Sequence, residues 1–396
     1  MSEPIPVNSE ILRWARLSLH LTVDEVALRM KRDITEIEAW ERGEAFPTYV
    51  QLETLAYDIY KRPLALFFFP TPPEEESIDR SFRTLPEYEL ERIPPRMRFL
   101  LRKARVLQLN LAELHEGVNP SRQQIIHDLH FESTVAAADM AERVRSYFDV
   151  TLEQQQNWKT IDDALKYWRE TLEDKGVFVF KDSFNPPGRK RADIGGSPFS
   201  GFCLYDSEFP VIYVNNNKPK TRQIFTLFHE LAHLLMHTGG VDTRVDDYIE
   251  YLTGDSKRIE VLCNQFSAEF LVPMRDFAVR SAGISVDDIT ISNLANFYYV
   301  SRETILRRLL DQGQVGQQYY EQKAQQWLEE REQGGEGSGN HYLTKGAYLG
   351  ERYIEAVFSR YHKGRISVEQ AADYLGEKTK NVPGMEDWLF KRGATA

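Results

Sequence analysis

The sequence predicts a multidomain, mainly α-helical chain that contains one small β-sheet. Three observations carry this. The chain has 396 residues, more than one hydrophobic core usually holds, so two or three domains are expected. Short apolar periods at helical spacing recur from end to end, several opened by Ser, Thr or Asp. Runs of β-branched and aromatic residues cluster in one stretch, residues 176–216.

Residues 1–70 read as a bundle of short helices. "SEILRWARLSLHL" has apolar residues at helical spacing. "TVDEVALRM" opens on Thr22 as a cap, "DITEIEAWERGEAFP" stops near Gly43 and Pro47, and "TYVQLETLAYDIY" is a fourth helix. The second and third helices have the size and pattern of a helix-turn-helix. Residues 71–94 are a linker, opened by the prolines and acids of "FFFPTPPEEES". Residues 95–175 are a helical connecting region, with "RMRFLLRKARVLQLNLAEL" and "TIDDALKYWRETLEDKG" as its clearest periods. "GVFVF" (176–180), "GFCLYD" (201–206) and "PVIYVNN" (210–216) read as strands inside a core that extends to residue 275. Residues 276–331 are helical again, and "ISNLANFYYVSRETILRRLLDQGQV" has a second helix-turn-helix-like pattern. Residues 332–341 are a flexible linker by composition, and residues 342–396 a small helical cap that includes "GRISVEQAADYLG".

The bulk numbers exclude several classes. A hydrophobic share of 42% and an aromatic share of 12% suit a folded chain. The net charge of −11 argues against non-specific nucleic-acid binding by the whole molecule, while leaving room for a local basic face. Cys203 and Cys263 are the only cysteines, which excludes a disulfide framework and a cysteine-rich zinc module. The run Leu64–Phe69 is far too short to cross a bilayer, and "MSEPIPVNSE" has no signal-peptide pattern. A cytoplasmic location with no membrane partner is the expectation.

One segment concentrates chemistry. "FTLFHELAHLLMHTGG", residues 225–240, contains His229, His233 and His237, with Glu230 beside the first. It reads as part of an amphipathic helix with an apolar stripe of Ile224, Leu227, Phe228, Leu231 and Leu234, ended by the two glycines. His229 and His233 are one turn apart and point the same way, so both can bind one zinc ion. Glu230 is rotated by about 100° and sits beside the metal, where a carboxylate can take a proton from a zinc-acidified water. This is the HExxH arrangement of metallopeptidases. His237 lies about 12 Å along the axis from His229 at 1.5 Å per residue, so it cannot share the ion. It is either a second-layer or substrate-facing group or a polar residue near the negative helix end.

A third ligand must come from elsewhere. "SKRIEVLCNQFSAEFLVP", residues 256–273, is a helical pattern holding Glu260, Asn264 and Glu269. Glu260 and Asn264 share a face, and Glu269 falls about 180° round the helix from Glu260. Glu260 is the expected ligand, and Asn264 the group that hydrogen-bonds a ligand histidine. Glu269 then serves a structural ion pair. Cys263 reads first as a small buried core residue, with a redox-sensitive ligand as the alternative. Tyr213 and His237 are candidates to stabilise an oxyanion, although Tyr213 also fits plain strand alternation. "PVIYVNN" is a candidate sheet edge to which an extended substrate adds as a strand.

Two resemblances follow from these residues. Val26-Ala27, Ile37, Trp40 and the "WERGEAFPT" exit before "LETLA" make residues 1–70 resemble the Xre/Cro/C1 class of helix-turn-helix domains. "PVIYVNNNKPKTRQIFTLFHELAHLLMH" followed by "IEVLCNQFSAEFLVP" resembles the ImmA/IrrE family of zinc metallopeptidases. That resemblance implies an α+β, zincin-like peptidase core binding one zinc ion through His229, His233 and Glu260, with Glu230 as catalytic base and Asn264 matching the family's Asn. It also implies an endopeptidase that regulates transcription, a stress response or a toxin–antitoxin or phage-related system. The partner would be a repressor or toxin encoded nearby. The alternative from a different class is a non-proteolytic antitoxin or DNA-binding regulator with a structural or vestigial zinc site.

DNA binding by the front domain is the weaker expectation. Over residues 1–70 there are 8 Lys/Arg against 11 Asp/Glu, whereas phosphate attraction needs the opposite sign. The third helix offers Asp33, Glu36 and Glu38 where base readout wants Arg, Lys, Asn or Gln. Arg29, Lys31, Arg32, Thr35 and Arg42 are the candidate DNA contacts. The other use of this domain is to dock a protein partner.

Overall fold

The computed structural model describes residues 3–73, 93–185, 199–238, 240–242, 254–332 and 341–393. Most of the 71–94 linker and the 332–341 linker lie outside the described residues. The chain is mainly helical with one small sheet, and no described helix is long and apolar enough to cross a membrane. It divides into two units, Met1–Arg80 with Pro86–Lys103, and Ser81–Leu85 with Ala104–Ala396.

The first unit begins with helices Ser9–Leu17, Val23–Met30 and Ile34–Arg42. Thr22 and Glu25 close a reciprocal capping box at the second helix. Lys31, in the left-handed region at φ 54°, ends that helix, and Gly43 at φ 73° ends the third. The fourth helix, Tyr49–Glu53, continues as a π-helical turn through Thr54–Tyr60. Ile11, Leu12, Val26, Ala27, Ile37, Trp40, Leu52 and Phe67 form one buried cluster. Arg16 donates twice to the Glu41 carboxylate, at 2.7 and 2.8 Å, tying the first helix to the third.

The second unit holds the sheet. Strands β1 (Phe178–Asp182), β2 (Gly201–Leu204), β3 (Val211–Asn215) and β4 (Gly240–Asp242) are ordered β1-β3-β2-β4. β1 runs parallel to β3, and the other two pairings are antiparallel. The "PVIYVNN" segment is therefore an interior strand with both edges paired, and no substrate strand can add to it. The edges are β1 and β4. The histidine helix ends at Leu235, before the two glycines expected to stop it, and Gly240 opens β4, paired with Cys203.

Strand alternation assigns the two faces. Cys203, Ile212 and Val214 face the core that contains the histidine helix, Lys220–Leu235. Phe202 and Tyr213 point the other way and stack at 5.0 Å. Gly201 lets the helix lie close on the sheet, because a Cβ there would stand 2.5 Å from Thr226 Cγ2 and 2.8 Å from the Tyr213 carbonyl oxygen. On its other side the helix packs along Gly254–Leu271 and Ile161–Asp174. Trp168, Phe228 and Phe270, one from each of the three helices, lock them together with ring separations of 4.1 to 5.3 Å.

This core does not stop at residue 275. Ile291, Ala295, Tyr298, Ile305, Leu306 and Leu309, on helices Asp288–Tyr298 and Arg302–Asp311, belong to the same buried cluster. The second helix-turn-helix-like pattern is thus a packing layer of the sheet-containing core.

Candidate metal centre

The histidine helix is buried on all sides, not on a single stripe. His229, Glu230 and His233 are 1%, 0% and 0% exposed. A polar helix face turned to water is therefore excluded. Burying two imidazoles and a carboxylate costs several kcal/mol unless they are compensated, roughly 2–7 kcal/mol per unpaired polar group in an apolar setting.

The compensation comes from the Gly254–Leu271 helix. Glu260, 3% exposed, places Oε2 3.3 Å from His229 Nε2 and Oε1 3.3 Å from His233 Nε2. The two Nε2 atoms are 3.2 Å apart. Zinc bonds of about 2.0–2.1 Å to nitrogen and oxygen give tetrahedral edges of roughly 3.3–3.4 Å. Three side chains from two helices thus already stand at the separations of such a site.

The outer nitrogens decide which way the rings face electronically. His229 Nδ1 is 3.0 Å from Asn264 Oδ1, an acceptor, so Nδ1 carries the proton and Nε2 a lone pair. His233 Nδ1 is 3.2 Å from Thr238 Oγ1, whose own proton goes to the His233 carbonyl at 3.0 Å. Again Nδ1 donates and Nε2 is left with a lone pair. Two lone pairs at 3.2 Å, facing a carboxylate, repel unless a cation lies among them. A proton on one ring relieves one contact, whereas a divalent ion relieves all three. Glu260 Oε1 is buried and makes no hydrogen bond, as expected of an atom turned toward a cation. Burial alone pushes the Glu260 carboxyl up, and only positive charge beside it, on the His233 and His229 rings or on an ion among them, holds it down. The group is a carboxylate at neutral pH.

Thr238 is the residue that sequence reasoning missed. The histidine helix ends at Leu235 with a Schellman arrangement. The Thr238 N–H donates to the His233 carbonyl at 2.9 Å, and the His237 N–H donates to that of Leu234 at 3.0 Å. His237 takes the left-handed position, φ 54°, normally given to glycine. That turn carries Thr238 back over the last helical turn to His233. The only signal in the sequence was a hydroxyl residue five positions after the second histidine.

The other candidates fall elsewhere. His237 is exposed and beyond the helix end. Its ring lies 4.4 Å from that of His130 and 4.8 Å from that of Tyr205, with Nε2 3.3 Å from the Ile126 carbonyl oxygen. Tyr213 is fully buried on the sheet face opposite the histidines, and its hydroxyl donates to Asp182 Oδ2 at 3.2 Å. It cannot reach an oxyanion at the metal centre, because the period of two turns it away. Glu269 is held by Arg308 at 2.7 Å and by the Met274 N–H at 3.0 Å, on the far side of its helix from Glu260. Cys263, fully buried, brings its Sγ and ring nitrogens of His229 and His233 within 4.8 Å of one another.

In the first unit two of the five candidate DNA contacts are paired with acids. Arg42 bonds Glu44 at 3.0 Å and Glu38 at 3.3 Å, and Arg32 lies 3.8 Å from Glu36. Arg29, Lys31 and Thr35 are exposed.

Comparisons with known proteins bear on the second unit. Residues 173–310 match the model of the IrrE N-terminal-like domain, Peptidase_M78. No curated protein matches the chain. Among solved structures, a Mycobacterium tuberculosis transcriptional regulator shares 15% identity over 51% of this chain and 50% of its own, with a TM-score of 0.28. The chain spans about half the length of that structure, and so loose a superposition fixes no common fold. The match covers the segment that supplies the sheet, the histidine helix and the Glu260 helix, which is thus similar to the metallopeptidase-like IrrE N-terminal-like domain.

Proposed function

We propose that the chain is a zinc-dependent endopeptidase that cuts one protein partner, a repressor or toxin, as part of a regulatory response. The observation that carries this is the crowding of His229 Nε2, His233 Nε2 and the Glu260 carboxylate at 3.2–3.3 Å, with both outer nitrogens engaged as donors. His229, His233 and Glu260 would hold the ion. When bound, it supplies an acidified water and polarises a peptide carbonyl. Glu230 is adjacent to His229 on the helix and fully buried. It serves as general base, taking the proton of the attacking water and passing it to the leaving amine. Asn264 and Thr238 keep the two rings in one tautomer throughout.

Residues 1–70 serve this function as an Xre-type helix-turn-helix domain that docks the protein partner. Leu28 and Ile34 are 80% and 44% exposed beside the acidic third helix, a surface better suited to a protein than to phosphates.

Burial of every metal-facing side chain favours a second reading, a non-proteolytic regulator with a structural metal. Metal analysis of the full chain against Glu260→Ala, followed by incubation with the proteins encoded beside it, separates these. The peptidase reading expects about one zinc per wild-type chain, little in Glu260→Ala, and cleavage of one neighbour. Zinc without cleavage of any candidate favours the structural reading. Unchanged zinc in Glu260→Ala refutes the ligand set.

A further inference from the structure

Cys263 is a fourth donor at the metal centre that the peptidase chemistry leaves unused. It lies three residues after Glu260 and one before Asn264, on the helix that covers the histidines. It is fully buried, and its Sγ and the ring nitrogens of His229 and His233 lie within 4.8 Å of one another. A zinc ion bonded to nitrogen at about 2.0–2.1 Å and to sulfur at about 2.3 Å sets a tetrahedral N···S edge of roughly 3.6 Å. Against the two ring nitrogens, closing from 4.8 Å to that edge asks for a shift of about 1 Å.

We infer that Cys263 is a zinc ligand, completing a closed set with His229, His233 and Glu260. This rests on the metal-site reading above. A thiol in apolar surroundings keeps its proton until a metal arrives. A bound zinc would hold Cys263 as the thiolate, its proton displaced along the path by which the ion enters. Two imidazoles, one carboxylate and one thiolate suit zinc better than the harder ions that prefer all-oxygen sites. Four protein donors also leave no open position, which is the mark of a structural site. The peptidase form then requires the sulfur to leave, regain a proton and yield its place to water. With Cys263 bound, the peptidase is latent.

The test uses the full chain, stripped of metal and loaded with one equivalent of cobalt(II), read by absorption. A thiolate ligand produces an intense sulfur-to-cobalt charge-transfer band in the near ultraviolet. The expected result is a band in the wild type, its loss in both Cys263→Ala and Cys263→Ser with cobalt still bound, and its survival in Cys203→Ala. Cobalt bound by the wild type without the band overturns the Cys263 assignment and leaves the metal site standing. A band that survives Cys263→Ala overturns it as well. Failure of the wild type to bind cobalt overturns the underlying metal reading itself.

Discussion

Replacing Asn264 by Ala tests the orientation of His229 separately from its identity. The Asn264 Oδ1 at 3.0 Å keeps the proton on His229 Nδ1 and turns the Nε2 lone pair inward. Without it the ring gains a second tautomer and rotational freedom. Loss of such a supporting contact costs about 10–100-fold in metal affinity, or about 1.4–2.7 kcal/mol. In the metal-free protein the same change removes one partly buried hydrogen bond, about 1 kcal/mol. The two states thus respond unequally. Zinc affinity measured by competition with a chromophoric chelator should fall by at least tenfold. The melting-temperature gap between wild type and Asn264→Ala should be wider in excess zinc than in chelator, because the ligand stabilises the folded state through its affinity. Equal gaps in both conditions, with unchanged affinity, would refute the tautomer argument and reduce Asn264 to an ordinary packing residue.

Three further expectations can be checked together. Glu230→Gln should keep its zinc and lose partner cleavage by roughly 100-fold or more; cleavage at the wild-type rate would remove Glu230 from the role of base. Lys181, 8% exposed on β1, is pulled from 10.5 down to about 7 by burial and by nearby Arg169 and Lys220. The unfolded chain holds that proton up to its higher value, so folding stability should rise between about pH 7 and 10.5. Lys181→Met should remove this slope and, at pH 6–7, stabilise the protein by an order-of-magnitude few kcal/mol; urea midpoints at pH 7 and pH 9 decide it. Finally, the full chain should give no salt-sensitive shift of duplex DNA, and Arg29→Ala with Lys31→Ala should change nothing; a steep salt dependence lost in that variant would restore the DNA-binding reading.

Local structure was legible where a local rule governs it. Thr22 announced its helix cap, Gly43 its helix stop, and the β-branched and aromatic runs their strands. The pairing order was not legible. β3, the strand just before the histidine helix, was read as a candidate edge, and only the partners on both sides showed that it is interior. Tyr213 stood between plain alternation and an oxyanion role for the same reason, since period two says that residues alternate but not which face holds the histidines. The end of the histidine helix was also missed. Two glycines were the obvious stop, yet His237 accepts the left-handed position because the Schellman bonds at 2.9 and 3.0 Å hold it there.

By itself the sequence determined the chemistry available: two histidines one turn apart with a carboxylate beside the first, and a second helix carrying Glu260 and Asn264 at one-turn spacing. Those relations depend only on the helical repeat, which every α-helix shares. Only the tertiary structure decided that the two helices meet. It also decided that the meeting point is sealed, and that Thr238 and Asn264 fix both rings with their lone pairs inward. Thr238 reaches His233 across a local turn of five positions, whereas the Glu260 and Asn264 contacts join two helices far apart in the chain. They exist only because the apolar faces of the sheet and three helices have one good way to pack.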